Sequence, residues 1–371
     1  MVMFEKNQKG LSTVDKLVFE LALYAKYMLL VIRKYLKEVH ALFSSKKFIC
    51  NALSGYSDYN ICINADLSVS CNCDDIFGSG QLGRLDVQTF QEVFSGQTAM
   101  RFRQQLAKGV LPILECSRCW DLKETSKQNA IYHINNFSLP SRGIMIENIA
   151  SCNLTCMGCG RKHRPLKSLK MTIGEITKIA HIINESKIKK ISFLAQGEPF
   201  MSNDILNEVE IIKRINPRIE MSTSTNGMCI NTDDKRNAAA KFDLVVFSID
   251  GSSQASAEKY QKGIDFCSAY LNMKNMVKFR TKHNLKKPII IWKYIVFNWN
   301  DKPAHINKAI EMAKDANVDI IQFVYTFTPI YSISWRFLWS RYWRGIAPID
   351  GLDSRRRTVK FADVGHVNEW F

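Results

Sequence analysis

The sequence predicts an α/β fold: an open barrel of six strand–helix units, preceded by a cysteine-rich region and a leading amphipathic helix. Three observations carry this expectation. From Gly143 onward short apolar runs alternate with amphipathic stretches of helical period, the texture of a parallel sheet whose crossovers are helices. Each of the first four runs ends in polar residues able to do chemistry, and strand ends are where α/β barrels gather it. Upstream, Cys50, Cys62, Cys71, Cys73, Cys116 and Cys119 crowd the region between Lys47 and Glu124.

The totals set bounds. At 371 residues and 46% hydrophobic content the chain can bury a sizeable core, which excludes a disordered protein. A net charge of +16 favours acidic partners, but the excess is dispersed and Arg355-Arg356-Arg357, the dense basic run, reads as a solvated face. No specific nucleic-acid partner follows from it. Eleven cysteines are an odd number, they sit in metal-ligand spacings, and no signal peptide is visible. The reducing cytoplasm is therefore the expected compartment.

In chain order, residues 1–45 form a helical leader. From Ser12, positions such as Val14, Leu17, Leu21, Met28, Ile32, Tyr35 and Val39 make one apolar stripe. Glu20 and Lys26 interrupt it, and a spanning helix needs roughly 18 uncharged residues. The stripe either packs on protein or lies on a membrane surface, giving peripheral attachment.

Residues 46–130 hold the upstream cysteines. Asn60 to Val69 reads as a hairpin turning at Asn64-Ala65-Asp66 and delivering Cys71, and Val87 to Lys108 has helical period. Cys116-x2-Cys119 is a corner that presents two adjacent thiolates to a zinc or an iron–sulfur site.

The barrel occupies 140–330. Its strands are expected near 144–149, 190–195, 218–224, 244–249, 288–297 and 318–325, with helices over 204–215, 233–241, 257–281 and 302–317 and a capping box opening another at Thr172-Ile173-Gly174-Glu175. The first strand runs into Cys152-x3-Cys156-x2-Cys159, the second into Gly197-Glu198-Pro199, the third into Ser222-Thr223-Ser224-Thr225-Asn226-Gly227 and the fourth into Ser248-Ile249-Asp250-Gly251. Three thiolates on one short loop can ligate three irons of a [4Fe-4S] cube and leave the fourth open to a small molecule. Cys229 and Cys267, each alone, are expected to be buried hydrophobes.

Over roughly Gly143 to Pro329 these motifs, in this order, resemble the radical S-adenosylmethionine (SAM) enzymes. The resemblance implies a partial (β/α)6 TIM-like barrel in which Cys152, Cys156 and Cys159 hold a [4Fe-4S] cluster whose open iron chelates SAM. It implies reductive cleavage to a 5'-deoxyadenosyl radical, with an external one-electron reductant such as flavodoxin or ferredoxin. Gly197 and Glu198 resemble the edge that accepts the cofactor's amino group. Ser224 and Asn226 resemble positions near its carboxylate or ribose, and Ser248 with Asp250 a ribose-facing pair, although hydroxyls in such runs also close turns.

Two departures stand out. Gly158 occupies the place where an aromatic commonly packs on adenine, and Trp292 to Phe297 lacks the family's glycines, so no role transfers to the fifth strand.

The upstream run is similar to the auxiliary-cluster module called SPASM or twitch, here preceding the barrel. That likeness implies a second [4Fe-4S] cluster on Cys50, Cys71, Cys116 and Cys119, with Cys73 or Cys62 as substitutes and structural zinc as the alternative. Residues 331–371 interleave Trp335, Trp339, Tyr342, Trp343 and Trp370 with Arg336, Arg341 and Arg344. They either clamp a base, sugar or phosphate or close the open barrel edge as an amphipathic helix.

The expected activity is hydrogen abstraction from a sugar or glycan precursor. A ribosomally made peptide is the alternative substrate, and a non-catalytic iron–sulfur or zinc-binding interaction protein the alternative class.

Overall fold

The computed structural model describes residues 13–71, 78–163, 169–340, 342–343, 346 and 356–362. Residues 1–12, Cys73, Arg341, Arg344, Arg355 and Trp370 lie outside them. The upstream half contains α1 (Thr13–Phe43), β1 (Lys46–Cys50), α2 (Asn51–Ser54), β2 (Cys62–Ile63), β3 (Ser68–Ser70), β4 (Gln81–Arg84), α3 (Phe90–Ser95), α4 (Gln97–Ala107), β5 (Leu122–Ser126) and α5 (Lys127–Asn135). Then come β6 (Gly143–Ile146), α6 (Ile173–Glu185), β7 (Lys190–Phe193), α7 (Ile205–Ile215), β8 (Glu220–Thr225) and α8 (Asp233–Ala240). The chain continues with β9 (Leu244–Ser248), α9 (Gln254–Ala257), α10 (Phe266–Lys282), β10 (Ile289–Val296), α11 (Pro303–Ala316), β11 (Ile320–Tyr325), α12 (Trp335–Trp339) and β12 (Arg356–Lys360).

All six expected barrel strands are present, as β6 to β11. The chain divides into two compact units: Met1–Ser151 with Gly160–Gly197 and Ile211–Glu220, and Cys152–Cys159 with Glu198–Glu210 and Met221–Phe371.

In the first unit β6 lies parallel to β7 on one side and to β2 on the other, and β3 and β4 continue antiparallel from β2. The hairpin read from Asn60 to Val69 thus extends the sheet of the first barrel strand. Its turn places Leu67 at φ 64°, and the Asn64 amide donates to Ser68 O at 2.9 Å. β1 and β5 form a separate antiparallel pair. The capping box at Thr172 is formed: the Glu175 amide donates to Thr172 Oγ1 at 3.2 Å and the Thr172 amide to Glu175 Oε2 at 2.6 Å.

α1 is held by a polar clasp, with Lys34 Nζ donating to Leu111 O at 2.7 Å and the Leu111 amide donating to Glu38 Oε1 at 2.7 Å. Leu30 and Ala41 are buried, while Tyr24, Leu29, Ile32, Tyr35, Leu36, Leu42 and Phe43 are exposed, so much of the apolar stripe faces outward. Among the described residues no helix is long and apolar enough to cross a membrane.

The second unit holds a parallel sheet, β8-β9-β10-β11, with β12 antiparallel to β11. Register assigns its faces, because side chains alternate and partners opposite one another point the same way. Phe247, Trp292, Tyr294 and Phe323 share the outer face, where Trp292 meets Tyr270 of α10 at 6.0 Å between ring centroids. Leu244, Val246, Ile289, Ile291 and Ile320 share the other face as an apolar cluster. Further along each strand that inner face turns polar.

Several expectations are corrected. The helix expected over 257–281 is broken into α9 and α10, because Gly263 takes φ +88° and Asp265 caps a new start by accepting from the Ser268 amide at 3.1 Å. Gly96, with ψ 168°, likewise splits the helical run from Val87 into α3 and α4. Within the basic run, Arg356 and Arg357 are half-buried in β12, which covers the β11 edge, rather than forming a solvated face. Phe337 and Trp343 are buried, the Trp343 ring packing on both Phe323 and Phe337, whereas Trp335 and Trp339 stay exposed.

Candidate active site

The loop from Cys152 to Cys159 lies in the second unit, tied by backbone to the segment after α9. The Thr155 amide donates to Lys262 O at 3.0 Å and the Met157 amide to Tyr260 O at 2.9 Å. Cys152, Cys156 and Cys159 are all partly exposed and belong to no disulfide. The Leu154 amide approaches Cys152 Sγ at 3.4 Å and Asn226 Nδ2 approaches it at 3.9 Å, the kind of donors that stabilise a thiolate. Asn226 Nδ2 also donates to Asn153 Oδ1 at 2.8 Å, linking the end of β8 to the cysteine loop.

Glu198 is buried and fully engaged. Its Oε1 accepts from Thr225 Oγ1 at 2.7 Å and from the Phe200 amide at 3.3 Å, and its Oε2 accepts from the Asn226 amide at 2.8 Å. Burial pushes its pKa up, against the pull of these donors. In the first unit, a Cβ on Gly197 would stand 1.8 Å from Ile149 O, so only glycine lets that strand end approach so closely.

Ser224 and Ser248 exchange a hydroxyl hydrogen bond at 2.9 Å. Asp250 is buried and orders what surrounds it: Oδ1 accepts from the Ile295 amide at 2.9 Å, its own amide donates to Gln261 Oε1 at 2.8 Å, and Asn300 Nδ2 donates to its carbonyl at 3.2 Å. Gln261 Nε2 donates in turn to Ser248 O at 2.9 Å. Burial pushes the Asp250 carboxyl up to about 6, with the Lys293 charge opposing.

A Cβ on Gly158 would lie 3.0 Å from the Tyr260 hydroxyl and 3.3 Å from Thr328 Cγ2. The space that an aromatic before the third cysteine would fill is therefore bounded by Tyr260, whose ring packs on Phe297 at 4.6 Å. Tyr260, Gln261, Asn300 and Lys293 escape sequence reasoning. Only Lys293, a single charged residue inside the apolar strand β10, carries a signal that could have drawn notice.

Of the upstream cysteines, Cys50, Cys116 and Cys119 come together in the first unit. Cys50 ends β1, Cys116 lies within a short 3-10 turn (Leu114–Arg118), and Cys119 caps its end. Burial pushes the Cys50 thiol well up, and the nearby Cys119 and Cys116 push it further. Cys116 is pushed up to about 12, chiefly by burial. Thiols raised in this way stay protonated, and a bound metal inverts that by taking them as thiolates. Asn60 Nδ2 reaches Cys119 Sγ at 4.0 Å and Asp121 Oδ2 at 2.6 Å. Arg103 sits beside Cys50, donating to the carbonyls of Leu53, Phe94 and Ile134 at 3.2, 2.7 and 3.0 Å.

Cys71 follows β3, its amide donating to Gly80 O at 3.1 Å, and buried Cys62 turns its thiol to Asn64 Oδ1 at 3.5 Å. Cys229 is partly buried, as expected of a packing residue only in part, and Cys267 is exposed near the start of α10, which corrects its reading as a buried hydrophobe. Among the described residues no three His, Cys, Asp or Glu groups are arranged to hold a single metal ion. A cube makes a different demand, since its thiolates attach to separate irons.

Residues 149–286 match the Radical SAM superfamily model, so this stretch is a radical SAM domain. The chain is 26% identical over 151 residues to UPF0026 protein MJ1312 of Methanocaldococcus jannaschii, a match covering 41% of this chain and 44% of that protein. It thus spans less than half the length of this curated relative. Among solved structures it is similar to TYW1 with a lysine-pyruvate adduct bound (14% identity, 60% of this chain and 81% of that one, TM-score 0.42). It is also similar to anSMEcpe with bound AdoMet (19% identity, 49% and 50%, TM-score 0.36) and to the radical SAM methyltransferase TsrM from Kitasatospora setae (9% identity, 51% and 38%, TM-score 0.41).

Proposed function

We propose that the protein is a radical SAM enzyme that acts at the loop Cys152–Cys159 on a small substrate, a sugar or glycan precursor in our reading. The observation that carries it is the convergence, in one unit, of the three-thiol loop with Glu198, Asn226, Ser248 and Asp250. The thiols of Cys152, Cys156 and Cys159 fit a cluster: they share one short loop, remain partly exposed, and have N–H donors near Cys152. When bound, the cluster supplies one electron that cleaves the sulfonium of SAM into methionine and a 5'-deoxyadenosyl radical, and that radical takes a hydrogen atom from substrate.

The chain's own residues bind and orient. Asn226 fixes the cysteine loop through Asn153, and Glu198 fixes Asn226. Engaged in this way, Glu198 serves the cofactor's amino group mainly by shaping the edge that faces it. Ser224 and Ser248 offer hydroxyls to the ribose, while Asp250 and Gln261 set the end of β9. Tyr260, beside Gly158, takes the place of the aromatic that would border adenine. An external one-electron donor such as flavodoxin or ferredoxin completes the reaction.

Cys50, Cys116 and Cys119 serve an auxiliary cluster, with Cys71 as fourth ligand. The proximity of Cys50, Cys116 and Cys119 to one another and of Cys50 to Arg103 supports this, since a cation and polar donors offset the charge of a thiolate group.

Anaerobic reconstitution, dithionite reduction and assay for 5'-deoxyadenosine test the reading; a reducible cluster that yields none would sink it and leave a non-catalytic iron–sulfur protein. Replacing Cys152, Cys156 and Cys159 together by alanine should abolish cleavage and leave iron on the upstream group. Zinc found there instead would reject the second cluster.

A further inference from the structure

α1 is packed on one side and bare on the other. Leu30 and Ala41 are buried, and Ala41 lies so close to Gly109 that a Cβ there would stand 3.0 Å from it. Lys34 and Glu38 complete this inner side through Leu111. At about 100° per residue, the positions from Tyr24 round to Leu29 span an arc of roughly 140° on the opposite side. Met28, Ile32, Tyr35, Leu36 and Phe43 fall within it, all exposed, and no charged residue from Tyr24 onward does. From Tyr24 to Phe43 this apolar stripe runs for roughly 30 Å. Val110, next to Gly109 and also exposed, adds to its end.

The charges around the stripe are positive. Arg33 flanks the arc, and Lys46 and Lys108 stand exposed near the last turn of the helix. Glu38 is the one acid between Tyr24 and Lys47, and Lys34 and the Leu111 amide engage it.

The width of the arc decides what covers it. A second copy of the chain would need a seam of a and d positions bordered by charges that pair across it. Met28, Ile32, Tyr35, Val39 and Leu42 have that spacing, but Leu29, Leu36 and Phe43 stand where the bordering charges would be. The arc is too wide for one partner helix, and each copy would bring a net charge of +16 against the other. A lipid surface covers a wide arc, and anionic headgroups answer the flanking cations.

We propose that α1 is an interfacial helix whose outer arc enters the headgroup boundary of a bilayer containing anionic lipid, with Arg33, Lys46 and Lys108 at the lipid phosphates. It lies along the surface rather than across it, being neither long nor apolar enough to span. Lys34 and Lys37 are electrostatic neighbours of Cys116 and Cys119, so these cysteines lie behind the helix. An α-helix is about 10 Å across, and docking brings those thiols within roughly that distance of the lipid. The inference does not depend on the radical chemistry proposed above.

The test is flotation of the full, cluster-loaded chain with vesicles of phosphatidylcholine and phosphatidylglycerol in equal parts. The wild-type chain should float with them, and should bind vesicles of phosphatidylcholine alone about tenfold less well, because the cations there lose their counter-charge. Replacing two exposed residues together, Ile32→Gln with Leu36→Gln, should weaken binding to the mixed vesicles about tenfold or more by withdrawing two side chains from the apolar phase. A wild-type chain that does not float overturns the proposal. So does a double variant that floats as well as the wild type, or equal binding to the two kinds of vesicle. A dimer in sedimentation velocity that the double variant dissolves, in a chain that does not float, overturns it in favour of a second copy.

Should the double variant fail to fold, a phosphatidylcholine with a photoactivatable diazirine in its acyl chain decides with the wild type. Peptide mass spectrometry should find the label concentrated in residues 24–43, and label spread over the chain or concentrated elsewhere overturns the proposal. Flotation of a chain that never yields 5'-deoxyadenosine would remove the enzyme reading alone. Cleavage of SAM by a chain that ignores vesicles would remove this inference alone.

Discussion

The Glu198 carboxylate accepts the Asn226 amide at 2.8 Å, and Asn226 in turn donates to Asn153 at 2.8 Å. One buried acid therefore governs the position of the cysteine loop from a distance. Glu198→Ala should cost about 3 kcal/mol, because it leaves the Thr225 hydroxyl and the amides of Asn226 and Phe200 without their acceptor. Glu198→Gln should cost about 1–2 kcal/mol, since its NH2 must face a donor. Urea unfolding of the cluster-free chain measures both, and both variants should also bind SAM more weakly once reconstituted.

Asp250 gives a pH signature. Its carboxyl is raised from 3.8 to about 6 in the fold, so the stability it allows is fully present below 3.8 and is lost as pH rises through 6. Asp250→Asn keeps an acceptor for the Ile295 amide and removes the titration. Between pH 5 and 8 the cluster-free wild type should lose about 1–2 kcal/mol relative to this variant, from the part of the shift that falls in that range. Parallel unfolding curves at the two pH values would contradict it.

Gly197→Ala is expected to be severe. Its Cβ would fall 1.8 Å from a backbone oxygen of Ile149, an atom no rotamer change can move. The cost should exceed about 3 kcal/mol, the upper end for overpacking that side chains can relieve. Loss of the cooperative thermal transition, or a large drop in its midpoint, is the expected readout.

Arg103 is predicted to be irreplaceable by lysine. Its guanidinium serves three separate carbonyls in a planar fork, and an ammonium cannot span them. Arg103→Lys should lose about 2–4 kcal/mol through carbonyls left unsatisfied in the interior. It should also lower the iron retained at the upstream group by the chain that lacks Cys152, Cys156 and Cys159.

The legible features were those that sequence encodes locally. Strand ends announced themselves because an apolar run stopping at Glu198, Asn226 or Asp250 changes composition within a few residues, and the Thr172 cap follows from two residues three apart. Features that depend on register stayed hidden. Lys293 looks like one polar residue in an apolar strand until the pairing of β9, β10 and β11 shows which neighbours share its face. β12 escaped notice because three consecutive arginines resemble a solvated surface, and only pairing with β11 sends Arg356 and Arg357 to opposite faces. The role of Gln261 depends on a loop that folds back to β9, which no local pattern encodes.

Gly158 and Tyr260 occupy one volume from two places in the chain. In evolutionary terms they form a linked pair: a lineage that gains an aromatic at 158 must first shed bulk at 260. The combined substitution Gly158→Tyr with Tyr260→Gly should accordingly be tolerated better than Gly158→Tyr alone. Among homologous chains, side-chain size at these two positions should vary in opposite directions.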